Sequence, residues 1–202
     1  MSNLIMMPQG TRESILLSAL TLFHEKGFDA TSVQEITDAA GCTKDTFYLF
    51  FDTKFDLLIK MEEKLFTDID NIISKELAVI TNDPFAQIDR ALDECFLYAK
   101  NTNLTLIRLS HTSEILGIIE EDKIAEKYIS LLVDKISGFI SKGIEKGHFR
   151  TLNPKVYGRI ICDFVHQMVE ALITDQHPVD FEVLKPEISI IVRKILEKKE
   201  SK

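Results

Sequence analysis

Residues 31–58, TSVQEITDAAGCTKDTFYLFFDTKFDLL, decide how the rest of the chain is read. A side-chain oxygen on Thr31 or Ser32 can satisfy one of the free N–H groups at a helix start, which predicts a helix over 33–40. Gly41 ends it, because glycine takes the left-handed conformation just past a helix at little steric cost. Thr43 is then placed to cap a second, very short helix starting at Lys44. Phe47 and Phe51 lie four apart on one face and can bury, which leaves Lys44, Asp45, Tyr48 and Leu49 outward. A helix, a glycine turn and a second helix with a polar and aromatic outer face is the geometry that seats a helix in the DNA major groove.

The flanks extend the pattern. An amphipathic helix is expected over 12–26, ending in LFHEKGF (22–28), and TFYLFFDTK (46–54) leads into Phe55, Leu57 and Leu58. This order of motifs resembles the N-terminal domain of the tetracycline-repressor (TetR) family of regulators, over roughly a quarter of the chain. The resemblance implies a homodimer on a double-stranded DNA operator and a larger helical domain in which a small-molecule effector controls DNA binding. Repression released by that effector is the default it implies. Lys54 matches the family's phosphate-binding lysine.

Base readout requires side chains on the first turn of the second helix. Lys44 can donate to guanine N7 and O6. Tyr48, one turn later, can donate to a phosphate or press its ring on a thymine methyl. Ser32, Gln34, Thr43 and Thr46 are expected on phosphates, setting register. Three departures from the family's pattern involve four residues. Asp45 stands where a small residue is usual and repels phosphate unless it accepts from a cytosine amino group. Leu49 and Phe50 replace frequent aromatic or histidine donors, and Thr37 replaces an alanine.

Charge runs against a broad nucleic-acid binder. The 202 residues carry a net charge of −8, and residues 1–60 hold five basic side chains against eight acidic ones. Binding must therefore rest on local placement in two copies, with Lys44, Lys54 and the helix starts at Val33 and Lys44 as the positive patch. Cys42, Cys95 and Cys162 are few and far apart, which fits reduced thiols rather than a disulfide framework. The start, MSNLIMMPQG, is not a secretory signal, and no run approaches the roughly 20 apolar residues of a membrane span, so a cytoplasmic protein with no membrane partner is expected.

Beyond the turn, helical periodicity predicts one long helix over 54–80, on the order of 40 Å at about 1.5 Å per residue. Asp83 and Pro84 stop it and cap the next, which runs to about Lys100. A shorter helix follows to Gly117, then a long one over 120–146, and Asn153-Pro154 opens another. Helices over 156–173 and 181–196 carry more apolar residues than one stripe requires. Ile161, Val165, Met168 and Leu172 with Leu184, Ile188, Ile191 and Ile195 can form a four-helix interface with a second copy; the alternative is that both helices are central in the chain's own core. With no strand pattern, the fold is all-α: a three-helix DNA-binding domain over 8–68 and a helical effector and dimerisation domain over 69–202, about nine helices in all.

Sequence support for an effector pocket is Phe66, Phe96, Phe139 and Phe164 as aromatic bulk, with His111 and Gln167 as polar groups among apolar ones. No cofactor, metal or catalytic residue is expected. A di-iron bundle needs paired Glu-x-x-His motifs, and only Glu145 with His148 fits; no nucleophile elbow, phosphate loop or zinc spacing is present. The other reading is a helical protein-interaction module that shares the fold without binding DNA.

Overall fold

Helices in this chain begin at residues whose side chains satisfy a helix end. In the computed structural model, residues 10–101, 121–173 and 181–198 are described, and they hold eight helices and no strand. These are α1 (Thr11–Lys26), α2 (Val33–Ala40), α3 (Lys44–Tyr48), α4 (Lys54–Leu77), α5 (Pro84–Asn101), α6 (Glu121–Glu145), α7 (Pro154–Ile173) and α8 (Phe181–Leu196). The helix expected up to Gly117 lies outside the described residues, as does the 174–180 connection. Asp83 caps α5 by accepting from the Ala86 N–H at 3.0 Å, and Asn153 caps α7 by accepting from Lys155 and Val156 at 3.1 and 3.3 Å. Pro84 and Pro154 stand at first helical positions, where the missing N–H removes nothing.

One boundary moves. α4 ends at Leu77, short of the expected Ile80, because the buried Gln87 of α5 takes over its last carbonyls. The Gln87 amide donates to Glu76 and Val79 oxygens at 2.9 and 2.7 Å and accepts from the Thr81 N–H at 2.8 Å. Lys142 of α6 and Lys146 just past its end add donors to the carbonyls of Ala78 and Ile80. A chain end so supplied has no need of further helical bonds.

The contacts divide the chain into two compact units, Met1–Lys64 and Leu65–Lys202, and α4 contributes residues to both. In the first, the buried side chains are Ile15, Leu16, Ala19 and Phe23 of α1, Ile36 of α2, Phe47 and Phe51 at α3, and Leu57, Leu58 and Met61 of α4. α1, α2, α3 and the start of α4 thus share one apolar interior.

The second unit centres on Leu77, Ile80, Leu92, Phe96, Phe139, Ile140, Phe149, Ile161, Ile188, Val192 and Leu196. Helices α6 and α7 approach closely because Gly158 leaves room: a Cβ there would lie 2.3 Å from Ser137 Oγ and 3.2 Å from both Ser137 N and Val133 O. Polar ties cross the unit. Lys135 of α6 donates to Asp70 and Ser74 of α4, Tyr98 of α5 donates to Asp68 at 2.7 Å, and Ser189 of α8 bonds Asp89 of α5.

Two residues expected at a subunit interface belong to this interior. Ile188 is 0% exposed and Ile161 is buried; on α8 the line sunk deepest in the core is Ile188, Val192 and Leu196, with Leu184 and Ile195 partly buried beside it and Ile191 exposed. Periodicity shows that a helix has an excess apolar face but not which face its own chain covers.

Candidate nucleic-acid interface

The α2–α3 turn is built by caps. Ser32 opens α2 with extended backbone, its hydroxyl accepting from the Glu35 N–H while the Glu35 carboxylate accepts from the Ser32 N–H at 2.9 Å, a reciprocal capping box. Thr31, the other expected cap, is instead buried and donates to the Gly27 carbonyl at 2.8 Å. Gly41 takes φ 69°, ψ 32°, the left-handed conformation that suits glycine, and Thr43 caps α3 by accepting from the Thr46 N–H at 3.2 Å. Phe47 and Phe51 are fully buried with centroids 5.4 Å apart. Their burial fixes the rotation of α3.

That rotation exposes Lys44, Asp45, Tyr48 (52%) and Leu49 (68%) together. The Tyr48 ring stands edge-on to Phe47, at 84° and 5.4 Å, so its orientation is supported from below. Lys44 makes no hydrogen bond or ion pair among the described residues, and its ammonium is open to an incoming acceptor. Thr37, where the family pattern has alanine, is buried and satisfied through a 2.8 Å bond to the Gln34 carbonyl.

Several expected phosphate binders are already engaged. The Gln34 amide donates to Asp38 at 2.7 Å, and the Thr43 and Thr46 hydroxyls face each other at 3.0 Å. Ser32 also donates its hydroxyl to Glu35, whose other oxygen pairs with Lys26. The Lys26 bond first, then the Ser32 N–H, pulls the Glu35 carboxyl down to about 2. The start of α2, expected to attract phosphate, therefore already carries a carboxylate.

Lys54 is the clearest departure. Expected on a phosphate, its ammonium instead donates to the carbonyls of Phe28 at 2.6 Å and Thr31 at 2.7 Å, and sits 4.2 Å from the Phe28 ring centroid. Sequence spacing could not show this, because the seat comes from a turn more than twenty residues upstream.

In the second unit, Phe66 stacks on Tyr128 with parallel rings 5.0 Å apart, a partner that periodicity did not suggest. Phe96 and Phe139 are core residues, Phe164 packs against that core, and Gln167 is exposed on α7 rather than enclosed. His111 lies outside the described residues. Burial raises the Cys95 thiol to about 12 and the Cys162 thiol to about 11.

Of the expected interface residues, Val165, Met168, Leu184 and Ile195 are partly buried against the core and Ile191 is exposed, while the side chain of Leu172 lies outside the described residues. Val156 (50%) and Ile160 (45%) on α7 and Val183 (59%) and Ile190 (50%) on α8 are exposed apolar residues outside the expected interface set.

Residues 15–61 match the family model for bacterial regulatory proteins of the tetR family. The transposon Tn10 TetC protein of Escherichia coli is 28% identical over 164 residues, 81% of either chain. The transcriptional regulator AcrR of Shigella flexneri is 34% identical over 84 residues, 42% of this chain and 39% of its own. Among solved structures, the fold is similar to the triclosan complex of SmeT, repressor of a multidrug efflux pump in Stenotrophomonas maltophilia, with a TM-score of 0.80 at 17% identity over 95% of this chain and 94% of that one.

Proposed function

Because the chain belongs to the TetR family of bacterial regulators, we propose that it is a repressor that binds an operator as a homodimer and is released by a small, largely apolar effector. DNA binding and transcriptional regulation are the function of this family. The observation that carries the reading is the outward group on α3: Lys44, Asp45 and Tyr48 share one exposed face over a buried Phe47–Phe51 pair, with the turn pinned by Gly41 and Thr43. Lys44 and Asp45 are a donor and an acceptor at adjacent positions, suited to guanine and cytosine edges respectively.

Residues 8–68 are assigned to DNA reading and 69–202 to effector binding and dimerisation. Exposed Ile160, Val183, Ile190 and Ile191 support the pairing of α7 and α8 with their copies, since water-facing apolar residues on two adjacent helices in sequence are what such an interface covers. The effector reading is supported by the stacked Phe66 and Tyr128 and by the triclosan complex of a similar fold. A cytoplasmic location follows from work on DNA; no helix among the described residues is long and apolar enough to cross a membrane.

A gel shift on the DNA upstream of the chain's own gene, with salt varied, tests this. A regulator retards that fragment specifically and loses affinity as salt rises. A chain that retards no duplex at any salt concentration is the interaction module instead.

A further inference from the structure

Lys54 is built into a seat, not displayed on a surface. An ammonium has three N–H donors, and here two of them meet the Phe28 and Thr31 carbonyls at 2.6 and 2.7 Å, with the Asp29 carbonyl 3.5 Å from the same nitrogen. The Phe28 ring closes one side of the seat, and Phe28 in turn packs on Phe23 with centroids 5.1 Å apart. The charges around it are Asp29, Glu35 and Lys26, of which Lys26 and Glu35 are paired with each other. The carbonyls belong to the turn between α1 and α2, and Thr31 immediately precedes the Ser32 cap of α2. Lys54 is itself the first residue of α4.

We propose that Lys54 is a positioning residue and not a DNA contact: held on the Phe28 and Thr31 carbonyls, it ties the first turn of α4 to the start of α2 and so sets where α2 and α3 stand. The proposal rests on the DNA-binding reading above. Burial, the largest influence on this ammonium, lowers its pKa, as expected for a charge drawn into a protein seat.

The two roles separate by salt dependence. A lysine on phosphate contributes to the slope of log K against log salt, about 0.9 per neutralised phosphate, and a strut does not. The probe is a duplex selected by the full-length wild-type protein from a random-sequence library. Lys54→Met is expected to weaken binding to it about tenfold at every salt concentration, as for the loss of a charged hydrogen-bond donor, with the wild-type slope kept. The same substitution is expected to lower the melting temperature of the DNA-free protein by about 4 °C. An unchanged melting temperature with a slope shallower by about 1.8, two lysines on two half-sites, overturns the proposal.

Lys54→Gln keeps amide donors for the carbonyls and removes the charge, so it serves if the methionine variant fails to fold. It is expected to recover most of the melting temperature and binding; a glutamine variant that melts like wild type yet shows the shallower slope assigns Lys54 to phosphate. If the wild-type protein selects no duplex, the functional reading fails, and DNA-free melting of the two variants decides the strut alone.

Discussion

The proposed readout of the operator falls on Lys44 and Tyr48. Both are exposed, and neither supports the interior. A Lys44→Ala, Tyr48→Ala double variant is expected to keep its melting temperature and lose about 2–4 kcal/mol of operator binding, at about 1–3 for a good base contact; binding equal to wild type removes both from the interface. Thr43 acts on the same surface indirectly. Thr43→Ala leaves the Thr46 N–H without its 3.2 Å acceptor and should cost about 1 kcal/mol in chemical denaturation. Glu35 supplies a pH dependence. Its folded pKa is about 2 against an ordinary 4.5, so the capping box stabilises the fold fully above pH 4.5 and loses that contribution as pH falls through about 2. Acid titrations of wild type and Glu35→Gln should therefore differ at neutral pH and converge at low pH.

Helices meet closely only where a small residue permits it, and α6 with α7 is the case in point. Gly158 has helical backbone, so its value lies in the missing Cβ and not in conformational freedom. Gly158→Ala would push that atom against Ser137 and the Val133 carbonyl, and α6 and α7 must separate to relieve it. The expected cost is about 1–3 kcal/mol in a denaturation experiment, as for other overpacked interiors. Sequence reading marked the helix but not this glycine, because the contact that makes it necessary is some twenty residues away. The capped helix starts at Thr43, Asp83 and Asn153 were legible, since each cap acts within three residues of its own backbone.

For the assembled protein, dimerisation and charge make the decisive predictions. Ile160→Asp with Ile190→Asp places charges at two exposed positions of α7 and α8, leaving the chain's own core untouched. Sedimentation should show a folded monomer, and binding to a two-half-site operator should collapse because the second reading head is no longer held at about 34 Å or a multiple. Salt dependence of the wild-type protein should be shallow. Among the lysines of residues 10–60, Lys26 pairs with Glu35, Lys60 with Asp56, and Lys54 is seated on carbonyls, which leaves Lys44. A slope of about −2 is expected for two copies, well short of a protein that makes six to ten phosphate contacts.

Helix existence, the glycine-hinged turn and the outward face of α3 were determined by the sequence alone, because capping, left-handed glycine and four-residue spacing act over a single turn of chain. Tertiary structure alone decided that Lys54 turns inward, that Gln87 ends α4, and that Ile188 faces the core while Ile190 faces water. Each of these depends on what a distant segment places beside the residue. A lysine offers the same three donors to a phosphate or to a carbonyl, and only the folded chain brings the Phe28 and Thr31 carbonyls within its reach.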